Sequence, residues 1–213
     1  MALIKYVIFD FDGTVADSKE LAFDLLNELS DKYGFRKITR TEANALMLLS
    51  MKERLKSLHV PLVQLPFMVM ELKKNYAKIL PFIKPFKGIK EVLLSLKRQN
   101  IKTVVISSNS VENIKKFLVK HEMNSFETIH SQSNIFGKHR SIKALLSQQK
   151  IGLQEVIYIG DEHRDIEACK KAKIKIISVK WGLDPVALLR KANPDYMIDA
   201  PADILKVIAS LNA

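Results

Sequence analysis

A parallel β-sheet covered by helices on both faces, with an all-helical segment inserted after the first strand, is the α/β fold this sequence predicts. Three observations predict it. Short, continuously apolar runs rich in β-branched residues recur along the chain, as in strands buried on both faces. Amphipathic stretches with helical spacing separate them. Between residues 17 and 83 that alternation stops and only helical patterns remain.

The first run, "KYVIF" (5–9), ends at once in Asp10 and Asp12. The next elements are helical: "ELAFDLLNELSDKYG" (20–34), "TRTEANALMLLSMKERLKSL" (39–58) and "QLPFMVMELKKNYAKIL" (64–80), closed by Pro81 and Pro85. Their methionines, Met47, Met51, Met68 and Met70, read as core of the inserted segment. The strand–helix rhythm then resumes. "GIKEVLLSLKRQN" (88–100) lines up Ile89, Val92, Leu93 and Leu96, and the strand "KTVVIS" (102–107) follows. "SVENIKKFLVKH" (110–121), with Ser110 placed as an N-cap, and "RSIKALLSQQK" (140–150) are the next helices. "EVIYIG" (155–160), "KIISVK" (175–180) and the weaker "DYMID" (195–199) complete the strands before a closing helix from Pro201. The predicted architecture is a Rossmann-like core over 1–16 and 84–213, carrying an inserted all-helical cap domain over 17–83.

Length and composition set outer bounds. The chain has 213 residues, 47% hydrophobic and 27% charged, enough for a packed core under a polar surface. No apolar run approaches the ~20 residues of a membrane span, and the N-terminal segment lacks a cleavage signature, so it reads as a strand. The single cysteine, Cys169, permits no intrachain disulfide, which suits a reducing cytoplasm and a small core residue. Net charge is +11. The lysines are spread along the chain and aromatic residues do not interleave with them, which argues against a nucleic-acid platform and for an anionic small molecule. A monomer or homodimer is expected.

In a parallel sheet the ligand crevice lies at the carboxyl ends of the strands. Asp10, Asp12, Gly13 and Thr14 follow the first strand; Ser107, Ser108 and Asn109 the second; Asp161 and Asp165 the third. Four carboxylates gathered at one edge would repel one another. A divalent cation resolves the repulsion, and an all-oxygen donor set points to magnesium.

"DFDGTVADS", "VVISSN", the lysine of "FGKHRS" and "IGDEHRDIEA" resemble, in order and spacing, the four motifs of the haloacid dehalogenase superfamily. The chain is most similar to its phosphatases with a helical cap after the first motif, the phosphoglycolate-phosphatase-like group. The resemblance implies that Asp10 is the nucleophile and Asp12 the acid and base. It implies a magnesium ion on Asp10, Asp161 and the Asp12 carbonyl, with Asp165 orienting a ligand or water. Ser107, with Ser108 and Asn109, would bind phosphoryl oxygens, and Lys138 rather than Lys143 would neutralise charge. His139, Arg140, Glu162, His163 and Arg164 read as outward-facing or supporting. Two departures stand out: no proline follows the lysine in "KHRS", and "KKAKIKII" offers no glycine to end the helix after the fourth motif.

Asp12 separates the functions open to this scaffold, because a halide leaving group needs no proton whereas an alkoxide does. A magnesium-dependent phosphatase of a small phosphorylated metabolite, such as phosphoglycolate, is the leading expectation. A phosphosugar mutase on the same core, or a non-catalytic binding protein on this scaffold, are the alternatives. Within the cap, Ser50, Lys52 and Arg54 are the polar candidates for an anionic substrate, Lys52 foremost.

Overall fold

The computed structural model describes residues 3–49, 51–132 and 137–213. Chain order is β1 (Tyr6–Phe9), β2 (Ala16–Asp17), α1 (Lys19–Tyr33), α2 (Arg40–Met47), α3 (Met51–Ser57), α4 (Leu65–Ile79), β3 (Lys84–Pro85) and α5 (Ile89–Arg98). Then come β4 (Lys102–Ser107), α6 (Val111–Lys120), β5 (Phe126–Ser131), α7 (Lys138–Gln149), β6 (Val156–Gly160) and α8 (His163–Ala172). β7 (Lys175–Val179), α9 (Val186–Lys191), β8 (Tyr196–Ile198) and α10 (Asp203–Asn212) close the chain. Two compact units result, one of Met1–Asp17 with Lys84–Ala213 and one of Ser18–Ile83.

In the first unit, β5-β4-β1-β6-β7-β8 form one all-parallel sheet among the described residues. β1 lies at its centre and pairs with β4 on one side and β6 on the other. The strand order reverses at β1, so the crevice of such a sheet falls at its carboxyl end. Both faces are covered, which is why the central strands are apolar throughout. One face packs Ile8, Val104, Ile106, Tyr158 and Ile176 against Ile142 and Leu145 of α7, Ile166 and Cys169 of α8 and Leu189 of α9. Alternate strand residues such as Val7, Phe9 and Val105 point to the other face, where α5 contributes Ile89, Val92, Leu93 and Leu96. Cys169 is a buried, free thiol, as its helical position suggested. A two-residue antiparallel pair, β2 with β3, joins the ends of the first unit's two segments.

The second unit has its own core of Leu29, Phe35, Ile38, Leu46, Leu58, Val60 and Met68. Met68 is core as expected, whereas Met70 is 69% exposed. The Met51 side chain lies outside what the structure describes, and so does Ser50. Helix α2 starts with a capping box in which the Thr39 hydroxyl accepts from the Glu42 N–H and the Glu42 carboxylate accepts from the Thr39 N–H. The Thr39 backbone bond, then Arg36, hold the Glu42 carboxyl down at about 2. A depressed carboxyl contributes stability above its unfolded pKa of 4.5 and loses it as pH falls through about 2. Thr39→Ala removes the N-cap hydroxyl and should lower stability by about 1 kcal/mol, the usual worth of such a cap. In denaturant melts across pH, the gap from wild type should narrow below pH ~4.

Several details differ from expectation. The helical stretch 39–58 is split: α2 ends at Met47 and α3 begins at Met51. The Arg54 guanidinium donates to the Met47 and Leu49 carbonyls, satisfying acceptors that a continuous helix would have used. "FETIHS" carries no apolar run because β5 is an edge strand in which every residue is exposed or half-buried. Without a glycine, α8 ends through Lys173 at φ 61°, a left-handed position that costs a side-chain-bearing residue roughly 1 kcal/mol. Among the described residues, no helix is long and apolar enough to cross a membrane.

Candidate active site

Asp10 is the first residue past β1, and its N–H still donates to the Ile159 carbonyl of β6 at 2.8 Å. The sheet thus fixes its backbone, and its side chain is buried. One carboxylate oxygen accepts the Phe11 N–H at 2.8 Å; the other accepts the Lys138 ammonium at 2.8 Å. The chain then turns sharply, with Val15 and Ala16 N–H both donating to the Phe11 carbonyl. Gly13 sits in this turn at φ 78°, and a Cβ there would lie 2.2 Å from an Asp161 oxygen. Only glycine meets both conditions. The turn leaves Asp12 half-buried, its carboxylate accepting from the Asn109 amide at 3.0 Å.

Asn109 is itself held firmly. Its side-chain oxygen accepts from Ser110 N–H and the Asn113 amide, and its carbonyl accepts from the Ser131 hydroxyl. The buried Ser107 hydroxyl accepts the Asn109 N–H at 3.1 Å, and Ser108 is half-buried beside it. The strand-end residues of β1 and β4 are therefore linked through Asn109 and Asp12.

Lys138 opens α7, two residues earlier than the apolar spacing suggested. It bridges Asp10 at 2.8 Å and Asp165 at 2.5 Å, all three being almost fully buried. Burial alone would depress this ammonium, but Asp10 and then Asp165 outweigh it and hold it above the usual lysine range. Lys143 is exposed on the same helix. Burial pushes the Asp10 carboxyl up to about 7 against the pull of Lys138, with Asp165 and Glu162 adding to the rise.

Asp161 follows β6 and is fully buried. The Thr14 hydroxyl donates to one of its oxygens at 2.6 Å and the Leu183 N–H to the other at 2.8 Å. Burial, then Glu162, Asp10 and Asp165, raise its carboxyl well above the ordinary value, and the Thr14 bond only partly offsets this. Asp165 lies in the first turn of α8 and accepts the Glu162 N–H.

Of the two readings given for Glu162, outward-facing or supporting, the structure fits the second. Glu162 is 8% exposed and paired with Arg164. Among the described residues, the acids with carboxylate oxygens all within 4.8 Å of one another are Asp10, Glu162 and Asp165. Burial raises the Glu162 carboxyl, with Arg164 opposing. A charged residue just before a helix ordinarily faces water, so the sequence carried no signal for this one. Thr14 stands at the strand end the sequence pointed to, but its bond to Asp161 has no signature there, since a hydroxyl after a glycine is common turn chemistry. Tyr158, in β6, was read only as strand core. Its hydroxyl lies 3.4 Å from an Asp165 oxygen, and its ring stacks 5.6 Å from the Lys138 ammonium. His139 is half-buried and Arg140 exposed. Arg164, partly buried, serves Glu162, and the half-buried His163 gives its N–H to Asp184. Lys52 and Arg54 belong to the helical unit, where Lys52 is exposed and Arg54 is tied to α2.

The class the fold defines is that of doubly wound parallel α/β proteins, here with a buried strand-end carboxylate bridged to a lysine and further acids around it. The family model for haloacid dehalogenase-like hydrolases matches residues 7–179, and the chain belongs to that family. The phosphoglycolate phosphatase of Synechococcus elongatus is 27% identical to it, over 98% of this chain and 99% of that protein. The pyrophosphatase PpaX of Bacillus cereus is 22% identical, over 98% of each. Among solved structures, one from Clostridium acetobutylicum described as a "predicted phosphatase" superposes with a TM-score of 0.84 at 22% identity. It covers 98% of this chain and 100% of that one.

Proposed function

We propose that the protein is a magnesium-dependent phosphatase of small phosphorylated metabolites, phosphoglycolate foremost, working through an aspartyl-phosphate on Asp10. The observation that carries this reading is the Asp10 carboxylate, buried at the sheet's switch point with one oxygen on Lys138 and a second acid, Asp12, two residues away. The name and near-complete overlap of the cyanobacterial relative support phosphoglycolate as the first substrate to try.

The donor set fits a hard divalent cation. Four buried carboxylates, Asp10, Asp161, Glu162 and Asp165, face two buried or partly buried cations, Lys138 and Arg164. The acids outnumber the cations, and burial makes any negative charge without a partner costly. Asp10, Asp161 and the Asp12 carbonyl would hold magnesium, with Asp165 beside them. The ion would screen the phosphoryl charge and polarise a phosphoryl oxygen.

The remaining chemistry belongs to the chain. An Asp10 oxygen attacks phosphorus in line with the ester oxygen, forming the O–P bond as the P–O bond to the leaving group breaks. Asp12 gives its proton to the departing alkoxide. It then takes one from the water that attacks the aspartyl-phosphate, so phosphate leaves and Asp10 is restored. The Asn109 amide donates to the Asp12 carboxylate, a bond that would steady it for this proton transfer. Ser107, Ser108 and Asn109 offer phosphoryl contacts, and Lys138 steadies Asp10 and the charge it takes on. Residues 17–83 are the cap in this reading, with Lys52 its candidate for an anionic substrate. The buried lone cysteine is compatible with a cytoplasmic setting.

The test is phosphate release from phosphoglycolate, pyrophosphate, hexose phosphates and an aryl phosphate, each with magnesium and with chelator. Release should vanish with chelator, and kcat/KM should be at least about tenfold higher for phosphoglycolate than for pyrophosphate, a difference of ~1.4 kcal/mol. Release untouched by chelator, or interconversion of a hexose phosphate without release, would overturn the reading.

A further inference from the structure

The four motifs leave one neighbour of Asp161 without a role. After β7 the chain runs Lys180–Asp184 before α9 begins, and this short strap lies against the Asp161 side chain. Gly182 is buried there. A Cβ at this position would meet the Asp161 Cβ at 2.1 Å and its carboxylate carbon at 2.5 Å. Such distances do not occur between real side chains, so any larger residue must displace either the strap or Asp161. The next residue donates its N–H to an Asp161 oxygen at 2.8 Å. The strap is pinned at both ends. Asp184 accepts the His163 N–H at 2.7 Å, which ties it to the start of α8. The Trp181 indole N–H donates to the Thr14 carbonyl at 3.3 Å, and the Thr14 hydroxyl in turn donates to the other Asp161 oxygen. Phe86 packs on the Trp181 ring at 6.1 Å.

We propose that Trp181–Asp184 is a positioning strap for Asp161, with Gly182 the residue that permits it and the Leu183 N–H the group that aims the carboxylate. The inference rests on the reading of Asp161 as a cation ligand. An ionised carboxylate has about four lone-pair sites, and one donor on each oxygen fixes the group while leaving sites open for a cation. Hydrogen bonds to a ligating carboxylate set its orientation, and their loss costs about 10- to 100-fold in metal affinity. Trp181 is the only tryptophan in the chain, so its emission reports on this strap alone.

The experiment is magnesium binding by titration calorimetry on the full chain without substrate, for wild type, Gly182→Ala, Leu183→Pro and an Asp161→Asn control. Circular dichroism checks the fold. Gly182→Ala and Leu183→Pro should raise Kd for magnesium about 10- to 100-fold. In turnover, the magnesium needed for half-maximal rate should rise equally, and saturating magnesium should recover kcat. Folded variants with wild-type affinity would overturn the strap while leaving the proposed function intact. A wild type that binds no magnesium would overturn both. Should the variants not fold, the wild type decides by itself. Its Trp181 emission should change with the calorimetric midpoint, and emission indifferent to magnesium would overturn the strap.

Discussion

Asp10→Asn is expected to abolish phosphate release, by on the order of 10⁴-fold or more, as loss of a covalent nucleophile does. The substitution keeps the size of the side chain and removes its nucleophilic oxygen pair. The protein should stay folded, for an electrostatic reason. Asp10 is one of four buried acids facing two cations. Burial already pushes its carboxyl up to about 7, so holding a charge at this position is costly and a neutral side chain removes that cost. Lys138 has a second partner, Asp165 at 2.5 Å, and should keep it when Asp10 loses its charge. Thermal midpoints equal to or above wild type, together with lost turnover, are the expected pair of results. Residual turnover within tenfold of wild type would move the nucleophile elsewhere.

Lys138→Met should instead damage both activity and stability. The ammonium bridges Asp10 and Asp165 in a pocket nearly closed to water. Removing it leaves two buried carboxylates facing each other without their shared cation, and breaking a buried pair in this way costs about 3–5 kcal/mol. For a chain of this size the melting temperature should fall by roughly 10 °C. Lys138→Met with Asp165→Asn removes one positive and one negative charge and should regain part of the lost stability, yet it should not regain turnover. Equal melting temperatures for wild type and Lys138→Met would mean that the bridge contributes nothing to the fold.

The sequence was legible where burial was two-sided. β1, β4, β6 and β7 are apolar runs because helices cover both faces of the sheet. β5 was not legible, since an edge strand with exposed Glu127 and Thr128 has no such run. The break between α2 and α3 was hidden for another reason. No glycine or proline marks it, and the carbonyls it frees are satisfied by a side chain, Arg54, from beyond the break.

The site divides along a similar line. Asp10, Lys138 and Asp165 each stand directly past a strand or in the first turn of a helix, and the structure brings them into direct contact. Asp12 and Asn109 meet as well. Glu162 could not be read, because nothing local distinguishes a buried acid paired with Arg164 from a solvated one. The partners of Asp161 were hidden more deeply. A backbone N–H at Leu183 and the space vacated by the side chain that Gly182 lacks have no signature in residue type alone.

The central claim is that Asp10 carries the phosphoryl group during turnover. Acid-quenching the enzyme a few milliseconds after mixing with substrate and magnesium, followed by peptide mass spectrometry, tests it most directly. The account expects phosphate on the peptide that contains Asp10 and none on the same peptide from Asp10→Asn. Phosphate on a different residue, or turnover with no phosphorylated peptide at any quench time, would contradict it.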